Sequence, residues 1–151
     1  AGIAALAAAN VTAVLLPGTA FSLKEPYARA RRMIDQGCAV ALATDFNPGS
    51  CFSHSVPLIM ALAVLYMGMS PEEALTAFTL NGAAALGRAG RVGSLEPGKA
   101  GDALILDYPS YHFLTYHTGM NCVVKVIKNG SLVHDRAAGC VPAQGKEGYV
   151  C

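Results

Sequence analysis

The residues best suited to chemistry lie in one short stretch. An uncharged run, Ala39-Val-Ala-Leu-Ala-Thr44, ends abruptly on Asp45, and Asn47, Gly49 and Ser50 follow around Pro48. A short apolar run bounded by turn residues is the pattern of a strand buried in a parallel sheet. Asp45 is therefore expected just past the C-terminal end of such a strand. In α/β folds that edge gathers ligands and catalytic groups. A carboxylate there can ligate a metal, at about 2.0–2.2 Å for zinc, or take a proton from a water molecule. Asn47 and Ser50 offer short polar groups, and Gly49 lets a ligand approach the backbone. The same residues also suit plain turn chemistry, with Asp45 as an Asx-turn or N-cap residue. The local pattern leaves both readings open.

Little else in the chain competes for a chemical role. His54, His112, His117 and His134 form no HxH pair and no i, i+4 pair on a clear helix face, so they are expected on the surface or in packing. No serine sits in a GxSxG turn, and the phosphate-cradling patterns GxGxxG and GxxxxGK[ST] are absent. The five cysteines, Cys38, Cys51, Cys122, Cys140 and Cys151, are odd in number and match no zinc-ribbon spacing. They are expected to be reduced cytosolic thiols.

The elements that must position Asp45 follow a βαβ rhythm. Residues 1–10 are Ala-rich and read as the end of a helix capped by Asn10. Val11-Thr-Ala-Val-Leu-Leu16 reads as a buried strand ending in a Pro17-Gly18-Thr19 turn. A helix is expected from Glu25 or Pro26 to Gln36, with Gly37 beyond its end, before the strand at 39–44. After the 45–54 loop come a helix at about 56–68 and another over Pro71–Leu86. The second opens with Ser70 as N-cap, Pro71 at its first position and Glu73 completing a capping box; Gly87 ends it. From about Gly90 the pattern turns to strands and turns. Residues 103–106 and 123–127 are strand candidates, and Asn129-Gly130 marks a hairpin into Leu132-Val133. The expected organisation is an α/β part over 1–90, part of a small β domain over 91–135, and a loose tail over 136–151.

The totals agree with a chain whose elements are covered on several sides. Of 151 residues, 53% are hydrophobic and 14% charged, against about 25% charged in an ordinary soluble domain. Mean hydropathy is +0.39. The net charge of +1 and the lack of basic or acidic blocks argue against nucleic acid or a charged membrane surface as partner. No run reaches the roughly 18–20 apolar residues of a membrane span, and no secretory signal opens the chain. A cytoplasmic protein is expected. The first residue is Ala1, not methionine, which reads as a truncation or a cut.

Ala43-Thr-Asp45-Phe-Asn47-Pro-Gly49-Ser50, Met69-Ser-Pro-Glu-Glu-Ala74-Leu75, Asn81-Gly-Ala-Ala-Ala-Leu86-Gly87 and Gly93-Ser-Leu-Glu-Pro-Gly98-Lys-Ala-Gly-Asp102-Ala-Leu-Ile105 together resemble the C-terminal portion of the amidohydrolase superfamily. Within it, the chain is most similar to the imidazolonepropionases. The stretches that carry this finer likeness are Val11–Gly18, the Asp45–Ser50 loop, Tyr116-His117-Thr-Gly119 and Val124–Gly130. The resemblance covers about residues 1–135.

That resemblance implies the last part of a TIM-like (β/α)8 barrel, followed by part of a small β-sandwich. It implies hydrolysis of the ring C–N bond of 4-imidazolone-5-propanoate to N-formimidoyl-L-glutamate, in histidine degradation. The substrate is a small molecule, the cofactor one Zn²⁺ or Fe³⁺ per site, and the assembly a homodimer. Asp45 matches the metal-binding aspartate that helps activate water; Asn47, Gly49 and Ser50 match positions that bind substrate or product. The family's HxH pair, its later metal-binding histidine and its arginine, tyrosine and histidine for substrate have no counterpart here. A barrel takes roughly 200–250 residues, and only its last two strands are visible. The chain alone is therefore expected to expose apolar surface, to bind the metal weakly and to be inactive. Other cyclic amidases, nucleobase deaminases and a non-catalytic α/β scaffold are the alternative readings.

Overall fold

Two apolar runs pair as parallel strands, and Asp45 follows the second. The computed structural model describes residues 2–140. Strand β1 (Ala13–Leu15) lies beside β2 (Val40–Leu42), with Ala13 opposite Val40 and Leu15 opposite Leu42. Helix α1 (Gly2–Ala8) precedes them, and Asn10 after it takes a left-handed φ of 52°. The crossover between the strands carries α2 (Pro17–Leu23) and α3 (Ala30–Asp35).

Here the structure differs from the expected pattern twice. Pro17-Gly18-Thr19 is the first turn of α2, not a free turn; Pro17 stands where the helix needs no N–H. The next helix begins at Ala30, not near Pro26. Pro26 biases the residue before it away from helical geometry, and Tyr27 is instead stacked on Tyr66, with ring centroids 4.9 Å apart.

Helices α4 (Val56–Met67) and α5 (Pro71–Phe78) cover one face of the parallel pair. Ser55 caps α4 by accepting from the Leu58 N–H, and Gly68 ends it in the left-handed conformation. The core joins Leu15, Val40 and Leu42 to Ile59, Met60, Ala63 and Met67 of α4 and to Ala74 and Ala77 of α5. The expected capping box is present at Ser70 and Glu73. The single helix expected over 71–86 is broken at Thr79 (φ −100°, ψ −87°), and α6 (Leu80–Ala85) follows. The Thr79 hydroxyl donates to the Leu75 carbonyl, a local bond that competes with the helical ladder. The turn lets Asn81 Nδ2 donate to the Val40 carbonyl at 2.8 Å.

The rest is a second sheet. Strands β3 (Ala103–Leu106), β4 (Val123–Lys128), β5 (Ser131–Asp135) and β6 (Gly139–Cys140) are antiparallel in that order, and the short helix α7 (Phe113–Tyr116) lies between β3 and β4. Asn129 and Gly130 have φ of 49° and 76°, as a type I′ hairpin turn requires. Strand β6 continues the sheet past 135; from 141 on, the expected tail lies outside the described residues.

The other face of the parallel pair is open at its β1 side. Val14 is 48% exposed. It lines a groove of about 960 Å³ with Ala41, Leu86, Leu95 and Leu104. Strand β2 is buried throughout, as expected, but β1 is not: Val14 stays half-exposed while its partner Ala41, nearer α6, is buried.

Candidate functional site

Asp45 leaves the sheet in the left-handed region, at φ 51°. Aspartate visits that region more readily than most residues. The kink turns the chain into a loop held by Asn47. Its Nδ2 donates to the Asp45 carbonyl at 2.7 Å and to Ser50 Oγ at 2.6 Å. Its Oδ1 accepts from the Gly49 and Ser50 N–H groups at 2.8 and 2.9 Å. A side-chain amide has two donors and one carbonyl acceptor with two lone pairs, so the Asn47 amide is fully used inside the loop. The Asn47 N–H closes the base by donating to the Cys51 carbonyl at 3.0 Å.

All four expected site residues thus form one hydrogen-bonded unit: Asn47 and Ser50 bond to Asp45, and Gly49 joins through its N–H. The Ser50 hydroxyl donates to Asp45 Oδ2 at 2.7 Å. Thr19 Oγ1 donates to the same oxygen, also at 2.7 Å. The Asp45 carboxyl is held below its usual range by the Ser50 hydroxyl first, then by Thr19, with Asn47 adding to them against partial desolvation. The group stays anionic through the neutral range, with both hydroxyl donors on one oxygen.

Thr19 carries no motif that marks it in the sequence. It follows the end of β1 as Asp45 follows the end of β2, and strands in parallel register bring both ends to one edge. That symmetry was the available signal. Gly18 makes the approach possible: a Cβ there would lie 2.5 Å from Ile59 Cδ1 and 2.8 Å from Cys51 Sγ.

The histidines serve packing and surface contacts. His54 meets the Phe46 ring edge-on, with centroids 5.6 Å apart. His112 Nε2 lies 3.0 Å from Glu72 Oε1. His117 stacks on Tyr108, and His134 is within β5. Among the described residues no three His, Cys, Asp or Glu side chains converge on one point. Cys38, Cys51 and Cys122 are buried free thiols. No helix among the described residues is long and apolar enough to cross a membrane.

Residues 2–133 match the amidohydrolase family. The chain belongs to that family. It is 65% identical over 134 residues to the imidazolonepropionase of Porphyromonas gingivalis, covering 89% of this chain and 32% of that one. It is 66% identical over 132 residues to the imidazolonepropionase of Bacteroides thetaiotaomicron, covering 87% of this chain and again 32% of the relative. The chain thus spans about a third of the length of the curated relatives it matches. Among solved structures, a zinc-bound adenosine deaminase from Xanthomonas campestris superposes with a TM-score of 0.83 at 22% identity, over 95% of this chain and 36% of that one. At that identity the likeness speaks for the fold. The chain has the architecture of the C-terminal part of an amidohydrolase TIM-type barrel.

Proposed function

We propose that this chain supplies the carboxylate corner of a metal-dependent amidohydrolase site that opens the ring of 4-imidazolone-5-propanoate to N-formimidoyl-L-glutamate. The observation that carries this is the posture of Asp45, in a chain 65% identical to an imidazolonepropionase. Its Oδ2 accepts from Thr19 and Ser50, while Oδ1 accepts no hydrogen bond from the described residues. An anionic carboxylate with one oxygen secured and one available fits a single metal bond. A bound Zn²⁺ or Fe³⁺ would polarise the substrate and lower the pKa of water.

Hydrolysis adds a hydroxyl to the ring carbon and a proton to the departing ring nitrogen. Asp45 is the proton carrier of the chain, taking the proton from the attacking water and returning it to nitrogen. Asn47 acts by shaping the loop, since its amide is saturated within it. Gly49 and Ser50 then form the surface that meets substrate or product, Ser50 Oγ as an acceptor because its proton goes to Asp45. The family reading carries with it a homodimer acting on a small molecule in the cytoplasm.

The test is a chimera in which the 134 matched residues replace the corresponding third of the Porphyromonas gingivalis relative. It should open the imidazolone ring and retain about one metal ion per chain. Asp45→Asn in that chimera should lower kcat by about 10²- to 10⁴-fold. A folded, metal-loaded chimera without ring-opening activity would sink the reading.

A further inference from the structure

We infer that Thr19 is a positioning residue: its hydroxyl, from the end of the neighbouring strand, fixes the Asp45 carboxylate with Oδ2 turned inward and Oδ1 presented to the metal. This rests on the reading of Asp45 as a metal ligand.

Thr19 is the third residue of α2 and lies 26 positions before Asp45, yet its Oγ1 is 2.7 Å from Asp45 Oδ2. Ser50 Oγ reaches the same oxygen from within the loop, also at 2.7 Å. A carboxylate held by one donor can still swing about that contact. Two donors from different elements remove the swing and decide which oxygen faces outward. Thr19 is the more informative anchor because it belongs to another βα unit. The Ser50 contact would survive any rigid movement of the Asp45 loop; the Thr19 contact holds the loop to the strand beside it. Each hydroxyl has one proton to give. That of Thr19 is spent on Asp45, so Thr19 acts through Asp45 and not on substrate.

The surroundings fit a built contact. Gly18 and Pro17 are buried at the start of α2, and the space a side chain at Gly18 would need is filled by Ile59 and Cys51. The first turn of α2 is thereby packed directly on the loop that follows Asp45. Thr19 has a methyl that a valine preserves and a hydroxyl that a serine preserves. The two substitutions therefore separate packing from hydrogen bonding.

The experiment uses the chimera described above, stripped of metal and titrated with Zn²⁺ alone against a chromogenic chelator. Loss of a partner that orients a metal ligand typically weakens affinity about 10- to 100-fold. Thr19→Val should fall in that range while keeping the parent's circular dichroism, and Thr19→Ser should stay within about threefold of the parent. The valine variant should also lose kcat with KM little changed. Parental Zn²⁺ affinity in a folded valine variant would overturn the inference. So would equal losses in the valine and serine variants, which would assign Thr19 to packing. A parent chimera that is folded but binds no Zn²⁺ would instead remove the metal-ligand reading of Asp45, and the inference with it.

Discussion

Arg31 Nη1 donates to both carboxylate oxygens of Glu73, at 2.9 and 2.8 Å, across 42 positions of sequence. Glu73 Oε2 also accepts from the Ser70 N–H at 2.8 Å, as the returning half of the capping box. One carboxylate therefore closes the start of α5 and ties it to α3. Ser70→Ala removes the forward half of the box and should cost about 1 kcal/mol. Glu73→Ala removes the returning half and the ion pair together. It should lower the melting temperature of the chimera more than Ser70→Ala or Arg31→Ala alone. A smaller shift than Ser70→Ala gives would contradict the shared role.

Glu72, the neighbour of Glu73, bears on acid stability. The Ser70 side chain, its own backbone N–H and the Tyr111 hydroxyl hold its carboxyl down to about 2, and His112 adds to them. The folded value lies below the ordinary 4.5, so Glu72 contributes stability that is present above about pH 4.5. That contribution is lost as pH falls toward 2. In Glu72→Gln, melting temperature should depend less on pH between about 4.5 and 2 than in the parent. Parallel curves for the two proteins across that window would rule this out.

Gly18 is expected to tolerate no side chain. Ile59 is fully buried, so its Cδ1 has little room to retreat from a Cβ 2.5 Å away. Gly18→Ala should destabilise by about 1–3 kcal/mol through overpacking. It should also weaken Zn²⁺ binding in the chimera, because α2 carries Thr19. Unfolding midpoints and the same zinc titration check both effects; unchanged values would show that the helix start is free to move.

Asn47→Ala should open the loop after Asp45. It leaves the Gly49 and Ser50 N–H groups and the Ser50 hydroxyl without their Asn47 partner. Partial exposure limits the stability loss to about 1–2 kcal/mol. Ring-opening activity of the chimera should fall more than its stability does. Full activity would mean that Gly49 and Ser50 hold their places without the amide.

The 151-residue chain by itself should neither retain a stoichiometric metal ion nor turn over the imidazolone. Its described residues bring no three ligating side chains together, and one carboxylate does not hold zinc tightly. The open groove beside Val14 should also bind a hydrophobic dye and promote self-association. Equilibrium dialysis against Zn²⁺, an activity assay and light scattering of the purified chain address the three points. One tightly bound zinc with activity would overturn the first two, and a dye-free monomer the third.

What the sequence determined by itself was local. The left-handed residues that end helices at Asn10, Gly37 and Gly87, the Ser70–Glu73 box and the Asn129-Gly130 turn follow from backbone sterics and bonds across a few residues. Asp45 could be set at the end of a buried strand because an uncharged run and a turn signal are read within ten positions. The break at Thr79 was hidden because residues 71–86 are helix-compatible throughout. Only the side-chain bond to Leu75 and the reach of Asn81 to Val40 interrupt them. The exposure of Val14 was hidden too, since an apolar strand reads the same whether or not a second layer covers it. Tertiary structure alone decided the partner of Asp45. The parallel register of β1 and β2 brings Thr19 and Asp45 to one edge, and Gly18 lets them close to 2.7 Å. That contact depends on strand pairing across 26 residues, which no local propensity encodes.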